Sequence, residues 1–324
     1  MTTYKGINGF AVQSVASNPS PLDEGQVWYN NATYAFKLAT VTTSGAWASG
    51  TNLPAVRNNG VSAGTQTAAL VAGGYGSTSF LTTTFEYDGS TWTAGGNINT
   101  STTERGSCGT QTAALAWANS GTGTATEAYD GSTWTTVPGT LNTGRAGSCG
   151  AGTQTAALAM GGYPSPTAVE AYNGTTWTNG GSLTNGGYFG AGAGSQTAGL
   201  FFGGTNAGPS GQFVTTSKYN GSTWTSTGNL NTGRWALVGT GSQTAAIGAG
   251  GYGPSPVVGA TESFNGTSWT TQTSLATARR TMGNANSSPS TSALVYGGYT
   301  TASVANTEAW TGAGSPVTRT ITTS

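Results

Sequence analysis

Apart from its tyrosines and termini, the chain's ionisable chemistry consists of ten carboxylates, ten basic side chains and two cysteines, with no histidine. Lack of imidazole excludes serine–histidine triads, histidine-ligated zinc or copper and the commonest general base at neutral pH. Glycoside hydrolysis would need two suitably placed carboxylates. The acids are Asp23, Asp88, Asp130 and seven glutamates, and most recur at a fixed interval. Glu127, Glu170, Glu262 and Glu308 share that interval with Arg57, Arg105, Arg145, Arg234 and Arg280. Such a pattern predicts scaffold in which arginines pair with glutamates or cap loop carbonyls. Cys108 and Cys149 each lie in Gly-Ser-Cys-Gly, which predicts free, small core thiols, because equivalent sites in neighbouring units splay too far apart for a disulfide. No catalytic residue, cofactor or metal site emerges, and a non-enzymatic protein is expected.

The elements that carry these residues are set by an unusual composition. Charged residues are 6 % of the chain, against roughly 25 % in ordinary soluble domains. Hydroxyls, amides and backbone must therefore hydrate the surface. Aromatic residues at 10 % and zero formal charge argue against disorder. Ten scattered bases give no electrostatic footprint for nucleic acid, and no apolar run approaches the roughly 20 residues of a membrane span. The start, Met1-Thr2-Thr3-Tyr4-Lys5, leads into no signal-like apolar stretch, so synthesis in the cytoplasm without export is expected.

Two internal signatures recur six times. An aromatic-turn-Trp unit runs Tyr87-Asp88-Gly89-Ser90-Thr91-Trp92 and returns before Trp134, Trp177, Trp224 and Trp269, with a degenerate form at Trp47. The tryptophan spacings are 45, 42, 43, 47 and 45 residues. Gln-Thr-Ala-Ala-Leu, first seen at Gln66–Leu70, keeps the same beat. Each unit reads as four short strands: an arginine-led strand, an apolar strand halted by a glycine pair, a strand climbing to Tyr, and the Trp strand. Asp-Gly or Asn-Gly between the last two predicts a two-residue turn with both residues at positive φ. The six tryptophans are expected in the core between units.

The order of Arg, Gly-Gly, Glu-x-Tyr-Asp/Asn and Trp resembles the kelch repeat, shown fully by Gly161, Gly162, Glu170, Tyr172, Asn173 and Trp177. The resemblance covers roughly residues 44 to 311, with departures at Trp117-Ala118 and Lys218. It implies an all-β chain forming a six-bladed β-propeller of four-stranded blades. Phase implies how the ring closes. The last unit lacks its Trp strand, and Trp47 lies in a Trp strand lacking three partners. The alternative is seven blades, using Gln26–Tyr29, Tyr34–Val41 and the tail Val317–Thr322. The expected organisation is an N-terminal docking segment over 1–42, a propeller over 43–312 and a tail over 313–324. The segment before Trp92 also resembles the aspartate box of sialidases, yet Tyr87 occupies the aspartate position and Asp88 falls one residue late.

Aromatics after the glycine pairs, Tyr75, Tyr163, Tyr252 and Tyr299, together with Trp117 and Trp235, are candidates for a ring of sugar-stacking platforms. Loops 206–212 and 253–256, longer than their counterparts, are candidate recognition loops. The stretch Ser20-Pro21-Leu22-Asp23-Glu24-Gly25-Gln26-Val27-Trp28-Tyr29-Asn30, followed by Tyr34-Ala35-Phe36-Lys37, is similar to a short hairpin segment at the front of bacteriophage structural proteins. That resemblance implies a virion component (a fibre, tail-associated or head-decoration protein) docked through Trp28, Tyr29, Tyr34 and Phe36. The partners implied are other virion proteins and host cell-surface glycans, with multiple copies on a symmetric particle. A stand-alone carbohydrate-binding lectin is the alternative.

Overall fold

Four residues, not two, join the third and fourth strands of the first five units. In the computed structural model, which describes residues 12–19, 26–41, 44–206, 211–313 and 316–321, Tyr87 pairs directly with Trp92 across a loop of four. The Asp88 Oδ1 accepts the N–H groups of Ser90 and Thr91, and of the two predicted positive-φ residues only Gly89 has one, at 96°. The turn is thus a side-chain-built Asx turn and not the two-residue hairpin expected. Asn173, Asn220 and Asn265 build it identically. In Asp88 and Asp130 these hydrogen bonds favour the charged form and lower the carboxyl pKa.

The chain divides into two units, residues 1–45 with 312–324, and residues 46–311. The second is a six-bladed β-propeller of antiparallel four-stranded sheets. Blades one to five occupy 61–95, 106–137, 149–179, 191–227 and 238–272. Blade six takes Gly283–Asn284, Leu294–Tyr296 and Thr307–Thr311 and is completed by Ala46–Ser49, with Trp310 opposite Trp47. Each innermost strand adjoins the next, and Gly283–Asn284 adjoins Val61–Thr65 to close the circle. Six blades closed by the Trp47 strand is therefore the observed ring.

The alternative seventh-blade strands form a sheet in the other unit. Val27–Asn30 pairs with Ala35–Val41, which pairs with Pro316–Thr320, and Gln13–Val15 runs parallel to Val27–Asn30.

Repeated side chains join the blades. In each blade an aromatic pair packs across the last two strands, with ring centroids 4.8–5.3 Å apart. Trp92, Trp134, Trp177, Trp224 and Trp269 are buried, and Trp47 is partly so. Four tryptophans donate Nε1–H to the threonine starting the preceding blade's third strand: Trp134 to Thr84, Trp177 to Thr126, Trp269 to Thr216 and Trp47 to Thr261. In blade three Val169 stands at that place, and the buried Trp224 Nε1 has no acceptor among the described residues. Val169→Thr, nearly equal in volume, is expected to supply one and to stabilise the ring by about 1 kcal/mol. Chemical denaturation of both proteins would measure the gain.

The recurrent glutamine is a second staple. Its amide donates to two carbonyls of the preceding blade, as Gln154 does to Ala114 and Tyr129. Gln66, Gln111, Gln196 and Gln243 repeat the arrangement.

Ion pairs hold four blades internally: Arg105–Glu127 (2.5 Å), Arg145–Glu170 (2.6 Å), Arg234–Glu262 (3.1 Å) and Arg279–Glu308. The sixth unit's scaffold arginine is Arg279, not Arg280 as the spacing suggested. In blade one Phe85 replaces the glutamate. Arg57 caps the carbonyls of Gly73 and Thr83 and lies 4.7 Å from the Phe85 centroid, and burial lowers its pKa to about 10. Blade four has Gly187 and Ser217 at the two positions, so neither charge is left buried alone.

Candidate functional site

The two ends of the propeller differ in kind. One end carries the Asx turns and the Gln-Thr turns. The other carries the glycine-pair loops and the passages from each blade to the next.

At this second end the residue following each glycine pair forms an isolated bridge with the residue entering the inner strand. Asn58 pairs with Tyr75, Ala146 with Tyr163, Tyr188 with Thr205, Trp235 with Tyr252 and Arg280 with Tyr299. Reciprocal backbone hydrogen bonds of 2.7–3.1 Å fix each bridge. The glycine pairs permit this because both residues take positive φ, 61° and 90° at Gly73 and Gly74. In blade two Ala118 holds the first of these conformations, at 65°.

The bridges set aromatic rings side by side. Tyr163 meets Tyr188 edge-on at 5.9 Å, Tyr188 meets Phe189 at 5.8 Å, and Phe189 meets Trp235 at 5.6 Å. Trp235 stacks on Tyr252 at 5.0 Å and 25°. The Arg280 guanidinium then lies 5.2 Å from the Tyr252 centroid and 5.1 Å from that of Tyr299. A continuous arc thus crosses blades three to six, while Tyr75 and Phe80 make a separate pair on blade one. Tyr163 is 58 % exposed, and Tyr75, Trp235, Tyr252 and Tyr299 are partly exposed.

Trp117 does not belong to this face. It is fully buried, packs on Trp177 at 5.2 Å and donates to Ser148 Oγ. As the last residue of Ala113–Trp117 it points between blades, ahead of the glycine-pair position.

Tyr188 and Phe189 were not singled out from the sequence, because the residue type at the entry to the inner strand differs from blade to blade. Loop residues 207–210 lie outside the described residues.

Inside the arc runs a rim of six equivalent residues, one per blade, all with left-handed backbone: Asn59, Glu104, Gly147, Phe189, Ala236 and Thr281, with φ of 51–63°. Five carry a Cβ, at a cost of about 1 kcal/mol each. Five of their amides run head to tail around the axis. Thr281 donates to Ala236, Ala236 to Phe189, Phe189 to Gly147, Gly147 to Glu104, and Asn59 to Thr281, at 2.7–2.9 Å. The rim surrounds an axial cavity of ≈ 120 Å³ lined from every blade. Asn286 spans it, donating to the Ser62 and Ser107 carbonyls. Glu104 is the carboxylate that lines it, and burial raises its pKa. Cys149 also lines it, its thiol raised by burial to about 12. Both cysteines are free. Among the described residues no three His, Cys, Asp or Glu side chains cluster as metal ligands.

In the N-terminal unit Trp28 is fully buried and so presents no exposed ring for the docking expected of it. Tyr29 packs on Phe36 at 5.1 Å, and Tyr34 and Phe36 are 82 % and 48 % exposed. Ser20–Gly25 of the hairpin resemblance lie outside the described residues. No protein-family model and no curated protein matches the chain.

Proposed function

We propose that the chain is a non-enzymatic, kelch-like binding propeller of a bacteriophage virion, which presents its aromatic arc to glycans of the host surface. The arc carries the reading. Flat rings fixed by backbone bridges on a rigid scaffold suit the apolar C–H faces of sugar rings, and their order reduces what binding must freeze. Among the described residues the axial cavity is lined by one carboxylate, where glycoside hydrolysis uses two, which favours binding over turnover. Exposed Tyr34 and Phe36, within the segment similar to phage structural proteins, supply an apolar patch for docking on another virion protein.

Replacing the centre of the arc tests the reading. Trp235→Ala is expected to weaken retention on host-surface polysaccharide about tenfold, measured by biolayer interferometry, while circular dichroism shows an unchanged all-β spectrum. Unchanged retention would remove the arc from the interface. A protein that binds sugars but never sediments with phage particles would instead be the stand-alone lectin.

A further inference from the structure

We infer that the saccharide taken by the arc is anionic, bearing carboxylate or phosphate groups, and that Arg280 reads the anion. This rests on the arc being a saccharide site.

Arg280 is set apart from the scaffold arginines by one residue of register. Arg279 turns inward to Glu308, so the buried pair is complete without its neighbour. At Arg280's own place, the bridge residue, other blades carry Asn58, Ala146, Tyr188 and Trp235. No structural duty there calls for a cation.

The other bases whose side chains are described have partners. Arg105, Arg145, Arg234 and Arg279 are in ion pairs, Arg57 caps carbonyls, Lys37 donates to Thr320, and Lys218 donates to the Gly266 carbonyl. Among the described residues, Arg280 has neither an ion pair nor a side-chain hydrogen bond. It touches three rings instead: Tyr299, Tyr252 and Trp235 at 5.1, 5.2 and 5.8 Å.

Those rings steady the guanidinium plane through cation–π attraction while leaving its five N–H donors open. A planar fork with open donors matches the two oxygens of a carboxylate or phosphate. The same rings offer faces to a pyranose, so one ligand can stack and be read at once. Glu104, the rim's carboxylate, stands on blade two, two blades from Arg280.

The test uses the full-length chain and a panel of acidic polysaccharides, some carboxylated and some phosphorylated. Each is paired with its carboxyl-reduced or dephosphorylated form, and polyglutamate supplies charge without sugar. The expected result is at least tenfold tighter binding of an acidic member than of its neutral form, with the responding series identifying the anion. Arg280→Gln should lower that affinity to the neutral level, and Arg280→Lys should keep part of the preference. Equal binding of acidic and neutral forms, or a preference that survives Arg280→Gln, overturns the inference and leaves the saccharide site standing. Polyglutamate bound as tightly as the best acidic saccharide overturns the saccharide class. Retention of no polysaccharide at all removes the site and this inference with it.

Discussion

A chain trimmed to residues 46–311 is expected to melt close to the intact protein's ring transition, whereas one trimmed to 51–311 loses at least about 5 kcal/mol. The difference is the strand Ala46–Ser49. Its four residues complete blade six against Thr307–Thr311, Trp47 packs on Trp310 at 5.3 Å, and its Nε1–H reaches Thr261 in blade five. Deleting a packed tryptophan alone costs roughly 3–5 kcal/mol. The lost ladder adds to that and exposes the edge of Thr307–Thr311, a template for pairing between molecules. Differential scanning calorimetry with sedimentation velocity separates the outcomes: the shorter chain should melt lower and associate. Equal melting of both would show that the ring does not depend on its closing strand.

The second large effect is expected at Glu170. Its side chain and that of Arg145 are almost wholly buried, 2.6 Å apart, and Glu170 also accepts N–H groups from Asn142 and Thr143. Burial depresses the Arg145 pKa and the glutamate opposes it. Glu170→Ala leaves a buried guanidinium and two amides without their acceptor, at a cost of about 3–5 kcal/mol. The double variant Arg145→Met, Glu170→Leu should recover most of that loss, because two apolar side chains avoid the desolvation of two charges. Urea denaturation of the three proteins checks both statements. Blade four already shows the logic, having neither member of the pair.

The propeller was legible because its determinants are letters that repeat. Trp, Gly-Gly and Gln-Thr-Ala recur with the blade, and the phase difference between Trp47 and the last unit gives the closing strand. What the glutamine does was not legible, since an amide reaching two carbonyls of the neighbouring blade is a relation between units. The Arg279/Arg280 choice failed for a related reason: two adjacent arginines fit the spacing, and only the three-dimensional register shows which turns inward. Trp117 was misplaced because an aromatic replacing a residue just before the glycine-pair position resembles one just after it. Four members of the arc were visible: Tyr163, Tyr252 and Tyr299 after their glycine pairs, and Trp235. The rest, Tyr188, Phe189 and Arg280, lies on strand entries whose residue type differs from blade to blade.

The rim of left-handed residues shows what such variation permits. Its geometry is held by amide-to-carbonyl bonds, to which side chains contribute nothing, and the six positions hold Asn, Glu, Gly, Phe, Ala and Thr. Backbone grammar and side-chain vocabulary are uncoupled there. A lineage, or a combinatorial library, can rewrite the six positions around the axis to meet a changed target while the frame that displays them stays the same.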